Sequence, residues 1–115
     1  MKNKIKFFFI LIIIIFNYKN VYSSEDFVFN ITEIEILQDG NLFKGLKRGT
    51  ATTNEGLEIT ADEFEYDKSV NILNAKGKVE IKDSLKDYII FAEEITYLKN
   101  QEKIFSSGET NALIN

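Results

Sequence analysis

Every thirty or thirty-one residues this chain repeats one pattern, an alternation of apolar side chains broken once by a slip of phase. Phe27, Phe29 and Ile31 recur at every second position, the phase shifts across Thr32-Glu33, and Ile34 and Ile36 resume. The pattern returns as Leu57, Ile59 and Ala61, a slip over Asp62-Glu63, then Phe64 and Tyr66. It returns again as Tyr88, Ile90 and Ala92, a slip over Glu93-Glu94, then Ile95 and Tyr97. A fixed period of this length marks a stacked repeat, whose units are too small to bury their own apolar faces and close them against neighbours.

Within the repeat the period is two, which selects strands over helices. Leu73, Ala75, Gly77, Val79 and Ile81 face one way and Asn74, Lys76, Lys78, Glu80 and Lys82 the other, as in a half-buried strand. Thirty-one residues on stand Ile104, Ser106, Gly108, Thr110 and Ala112. Polar turn sequences separate the strands: Gln38 to Asn41, Thr53 to Gly56, Asp67 to Ser69, Lys82 to Asp87 and Lys99 to Glu102. The slip keeps the apolar set on one face only if each first strand contains a bulge or a sharp corner. Gly77 and Gly108 occupy matching positions where a bend or a close backbone approach is expected. The first copy fits least well: Phe43 matches Leu73 at an offset of 30, but aligning Gly49-Thr50-Ala51 with the later glycines requires two inserted residues. The expectation is an all-β fold, an open β jelly roll or folded-over, solenoid-like sheet built from repeats of about 30 residues, with an apolar trough inside.

The N-terminus reads as an address. Lys2, Lys4 and Lys6 precede an unbroken apolar run from Phe7 to Phe16, followed by a polar stretch ending Val21-Tyr22-Ser23. This is the pattern of a secretory signal peptide over residues 1–23, and the run falls short of the roughly 20 apolar residues that span a bilayer. An uncleaved anchor is the alternative, in keeping with Lys19 and the bulky Tyr22. With no cysteine after the run, a lipoprotein-type anchor is excluded. Cleavage would leave one β-repeat domain, residues 24–115, and would shift the formal charge from −4 to −8, because four lysines and no acid depart. Nucleic acid, which demands clustered cations, is therefore not expected as a partner, and an anionic membrane surface would be repelled.

Chemistry has little to work with here. The chain has neither His nor Cys, so the commonest zinc and copper ligands and any disulfide are missing, and no cofactor is expected. The acidic pairs Asp62-Glu63 and Glu93-Glu94 could be read as catalytic carboxylates. They recur in register like a solvated ladder, with no nucleophile or base beside them, and no enzyme is expected. A calcium site between them would lack the Gly- and Asp-rich ligand loops of calcium repeats.

The segment Thr60-Ala61-Asp62-Glu63-Phe64-Glu65-Tyr66-Asp67, followed by Asn74 to Ile81, resembles the A-D-x-x-x-Y-D … A-x-G-x-V-x-I unit of the OstA-like (organic solvent tolerance) domain. Ala92 to Tyr97 with Ser106-Ser107-Gly108 is similar to a second, looser copy, and the resemblance extends over residues 27–115. It implies an open, V-shaped jelly roll in the periplasm, associated with the outer membrane, that shields the lipid A acyl chains of lipopolysaccharide in its interior. It also implies edge-to-edge joining with other such domains or with an outer-membrane barrel. The lining would be Leu57, Ile59, Phe64, Tyr66, Leu73, Val79, Ile81, Tyr88, Ile90, Ile95, Tyr97 and Ile104, each of which serves a plain core equally well. The wording of Thr32 to Ile36 and Phe43 to Gly49 is closest to the N-terminal domain of the family's outer-membrane assembly members. Two departures stand out: the chain stops in mid-strand at Ala112 to Asn115, as a fragment of such a protein would, and the cysteines of some members are missing. A second class of function remains open, a structural adaptor that recruits partners by adding a strand to its sheet edge without binding lipid.

Overall fold

The structure, a computed structural model, describes residues 27–115. The expected signal peptide, residues 1–23, lies outside them. The described chain is all-β, one open antiparallel sheet curled into a half-barrel. Its strands are β1 (Val28–Asn30), β2 (Ile34–Leu37), β3 (Leu42–Gly45), β4 (Gly49–Thr52), β5 (Leu57–Ala61), β6 (Glu63–Asp67), β7 (Ile72–Asp83), β8 (Tyr88–Leu98), β9 (Lys103–Ser107) and β10 (Asn111–Ile114).

The pairing resolves these pieces into six long rungs, each bent near its middle. β1 and β2 form rung 1, β3 and β4 rung 2, β5 and β6 rung 3, β7 rung 4, β8 rung 5, and β9 with β10 rung 6. Each rung pairs antiparallel with the next: β2·β3 and β1·β4, then β3·β6 and β4·β5, then β6·β7 and β5·β7, then β7·β8, and finally β8·β9 and β8·β10. The chain thus advances as a meander, and the thirty-residue period is one hairpin of two rungs. The bends align to form a crease. On one side of it β2, β3, β6, the first half of β7, the second half of β8, and β9 make wall A; β1, β4, β5 and the remaining halves of β7 and β8, with β10, make wall B.

Registers fix the repeat spacing. Ala51 opposes Phe29 and Ile59, so these two are equivalent at an offset of 30; Ile81 opposes Ile59 and Ile90, equivalent at 31. Gly45 opposes Ile34 and Phe64, again 30 apart. By the same route Ala51 corresponds to Ile81 and Gly45 to Ala75, both at 30, so the first copy needs no insertion. Aligning glycine with glycine had hidden this, because rung 2 turns its corner over Leu46 to Arg48 without a glycine.

The phase slip is the crease. In rung 3 burial passes from Leu57, Ile59 and Ala61 to Phe64 and Tyr66 across Asp62; in rung 5 it passes from Ala92 to Ile95. Rung 4 keeps its phase and carries the extra residue as a bulge, Gly77-Lys78 lying opposite the single Glu93. Gly77 and Gly108 sit at φ +87° and +82°, in the region L side chains rarely adopt, and a Cβ on either would collide with the side chain of Asp62 or Glu93. The acid at the slip of one rung therefore rests on the glycine of the next.

Candidate functional site

Inside the crease, the inward side chains of rungs 2 to 5 form one apolar body. Of the twelve expected lining residues, Leu57, Ile59, Phe64, Tyr66, Leu73, Val79, Ile81, Ile95 and Tyr97 are buried in it together with Ala51, Ala61, Ala75 and Ala92. Tyr88, Ile90 and Ile104 pack against it half-buried. Nine of the twelve are thus closed off in this conformation, which leaves the other three as the expected residues a ligand could touch first.

Around that body the inward face continues into the open. Register places Ala112 opposite Ile90 and Ile114 opposite Tyr88, so both share the inward face of wall B; Ile114 is 77 % exposed. Ile104 lies opposite Tyr97 and Ser106 opposite Ile95 on wall A. At the other end Ile34 opposes Gly45 and Ile36 opposes Phe43, and Ile36 is 59 % exposed. The concave apolar surface therefore outruns the buried centre at two ends, through Ile34 and Ile36 of rung 1 and Ile104, Ala112 and Ile114 of rung 6. Alternation in the sequence marked each of these as apolar but carried no sign of their exposure.

Aromatic rings fill the space between the walls. Phe29, on wall B, lies 6.3 Å from Phe64 and 5.8 Å from Tyr66, both on wall A. Phe27 reaches further, 5.1 Å from Tyr66 and 5.8 Å from Tyr97, edge-on to both. Phe43 joins them at 6.3 Å from Tyr66. These three phenylalanines were not singled out as lining from the sequence, although Phe27 and Phe29 belong to the first copy's alternation.

Polar groups stitch the rims. Tyr66 donates its hydroxyl to Asn71 Oδ1 at 2.7 Å, and Asn71 Nδ2 donates to Asn100 Oδ1 at 2.8 Å, tying two turns of wall A. On wall B the Ser84 N–H donates to the Gly56 carbonyl at 3.3 Å. Burial raises the Tyr97 phenol above its ordinary pKa, with the carboxylates of Glu55, Glu102 and Asp83 adding to the effect. Burial likewise raises Tyr88, helped by the nearby Asp83 carboxylate. At the crease Arg48, the chain's one arginine, meets Asp62 Oδ1 at 2.9 Å and donates to the carbonyl oxygens of Gly77 and Lys78. Arg48 thus ties together the bends of rungs 3 and 4.

The outer face of wall A carries a shallow hollow of about 420 Å³ lined by Lys44, Glu63, Glu65, Asn74, Lys76 and Glu94 among others. Its charges alternate across strands, as on a solvated ladder. Among the described residues no group of three or more carboxylates is placed to hold a metal ion, and no helix is long and apolar enough to cross a membrane. A scan against protein-family models matches none of them, and a search among curated proteins finds no match either.

Proposed function

We propose that this chain is an exported, periplasmic lipopolysaccharide-binding domain that shelters lipid A acyl chains against the inward face of its curled sheet during transport to the outer membrane. The observation that carries the reading is the apolar concave surface that extends past the core to Ile104, Ala112 and Ile114. A sheet that only needed to close a core would place polar residues at the exposed positions Ala112 and Ile114, since exposed apolar surface has no stabilising role of its own. The motif resemblance over residues 60–81 supports the same reading. It needs no cofactor and assigns no catalytic role to the carboxylates at the crease.

Partners follow from the ends of the sheet. Rungs 1 and 6 each pair on one side only among the described residues, and unpaired edges accept a further strand. We assign these edges to joining with another domain of the same kind or with an outer-membrane barrel. A structural adaptor that binds no lipid is the second reading, favoured by the burial of nine of the twelve lining residues.

Photocrosslinking separates the two. With benzoylphenylalanine at Ile104 or Ile90, cells making lipopolysaccharide should yield a lipid adduct, while Phe105, on the opposite face of the same strand, should give none. Protein adducts alone from Ile104 and Ile90 would favour the adaptor.

A further inference from the structure

Each rim of the half-barrel is stitched along its own length, yet the mouth between the rims is held in a different way. Of the ion pairs among the described residues, one spans the mouth: Lys99 Nζ to Glu55 Oε1 at 3.3 Å. Glu55 lies in the turn between β4 and β5 on the rim of wall B, and Lys99 in the turn between β8 and β9 on the rim of wall A, 44 residues away. The Lys99 side chain is only 10 % exposed, as when a lysine covers its stem and leaves the ammonium to its partner. Its backbone N–H donates to the Asn71 carbonyl at 3.2 Å, which anchors the turn that carries it.

Phe27 lies edge-on to Tyr97, two residues before Lys99 in the chain. Rungs in a sheet are about 4.8 Å apart, so rung 1 and rung 5 would stand roughly 19 Å apart along a flat sheet. The 5.8 Å between the rings of Phe27 and Tyr97 therefore means that the Phe27 ring reaches across from the wall B side to wall A. The closure is diagonal: early rungs of wall B meet late rungs of wall A, and the opposite corners, at Ile36 and Ile114, stay open. Both ties are of a reversible kind. The ion pair is open on its Glu55 side, 57 % exposed, where salt screens it in part, and Phe27 precedes a three-residue edge strand held by β4 alone.

We propose that the mouth of the trough is gated, Glu55 and Lys99 forming an ionic latch and Phe27 a plug, so that a long apolar chain reaches the buried centre when the two rims part. The identity of that chain as a lipid acyl group rests on the function proposed above; the latch and plug do not.

The chain has no cysteine, so Asn54→Cys and Gln101→Cys place nitroxide labels on the two exposed turns beside the latch, and pulsed electron resonance reads the distance across the mouth. The labelled protein should show one short distance at low salt, and a longer population should grow in about 1 M salt, where screening acts within ~3 Å. Lys99→Glu should shift the distribution to the longer distance, and the swap Glu55→Lys with Lys99→Glu should restore the short one. An unchanged distribution in Lys99→Glu, with the fold intact by circular dichroism, overturns the latch. Phe27→Ala should raise binding of the apolar dye N-phenylnaphthylamine by roughly 2- to 10-fold, the weight of an aromatic pair; unchanged dye binding overturns the plug. Lipopolysaccharide added to the labelled wild type should itself lengthen the distance. If the variants part the rims but lipopolysaccharide neither lengthens the distance nor crosslinks from Ile104, the gate stands and the lipid assignment falls.

Discussion

Rung 4 and rung 6 carry the same inward pattern at a spacing of 31 and have opposite fates. Leu73 and Ile81 of rung 4 are 0 % exposed; their counterparts Ile104 and Ala112 are half-buried and exposed. The glycines correspond as well, Gly77 with Gly108, each at positive φ against the acid of the preceding rung. What differs is company. Rung 4 is paired on both sides, by β5 and β6 and by β8, whereas rung 6 has β8 alone. Burial in a meander belongs to a rung's neighbours on both sides, and one alternating strand can be core or open surface according to its place in the stack.

Charge at equivalent positions should expose this difference most sharply. Ile81→Asp puts an unpaired carboxylate into the closed centre and should cost more than ~4 kcal/mol, enough to unfold the domain. Ala112→Asp, its counterpart, should cost under about 0.5 kcal/mol, because the side chain reaches water. Urea titration followed by circular dichroism measures both, and equal losses would show rung 6 to be covered. The glycines come next. Gly77→Ala strains a left-handed residue and strikes Asp62, for a loss of roughly 1–3 kcal/mol. Gly108→Ala meets the same obstacle at Glu93 but should melt rung 6 alone, seen as hydrogen exchange rising in residues 103–114 while the centre stays protected.

Arg48→Ala tests the crease at about 1 kcal/mol, since the ion pair with Asp62 is nearly half exposed on both sides. The smallest effect concerns the free edge. The Asn115 N–H donates to the Asp87 carbonyl on the β8 side, and strand alternation then turns the N–H groups of Asn111 and Leu113 toward β8 and those of Ala112 and Ile114 to the free edge. A proline at Leu113 would thus disturb pairing with β8, and the residue whose free donor matters is Ala112. Ala112→Pro should weaken any self-association about fivefold, the worth of one hydrogen bond, by sedimentation at several concentrations. An unchanged equilibrium would place the contact elsewhere.

Much of this fold was legible in the chain because strand grammar is local. Alternation names a face, a slip names a bend, and an inward glycine names a close approach; rungs 3 and 5 show the slip, rung 4 the glycine, and all three the alternation, so their positions follow from Leu57 to Tyr97 alone. The short first copy was misaligned at Gly49 because matching residue types stood in for matching positions, which only the registers with β1 and β5 reveal.

The sequence by itself determined the strands, the hairpin period, the crease and the apolar set that faces inward. The tertiary structure decided which of those inward residues are dry, that Phe27 crosses to Tyr97, that Arg48 finds Asp62, and that Lys99 meets Glu55. The reason is physical: alternation fixes the face of a side chain relative to its own strand, whereas contacts across the mouth depend on the curl summed over all six rungs, a property no single stretch of chain contains.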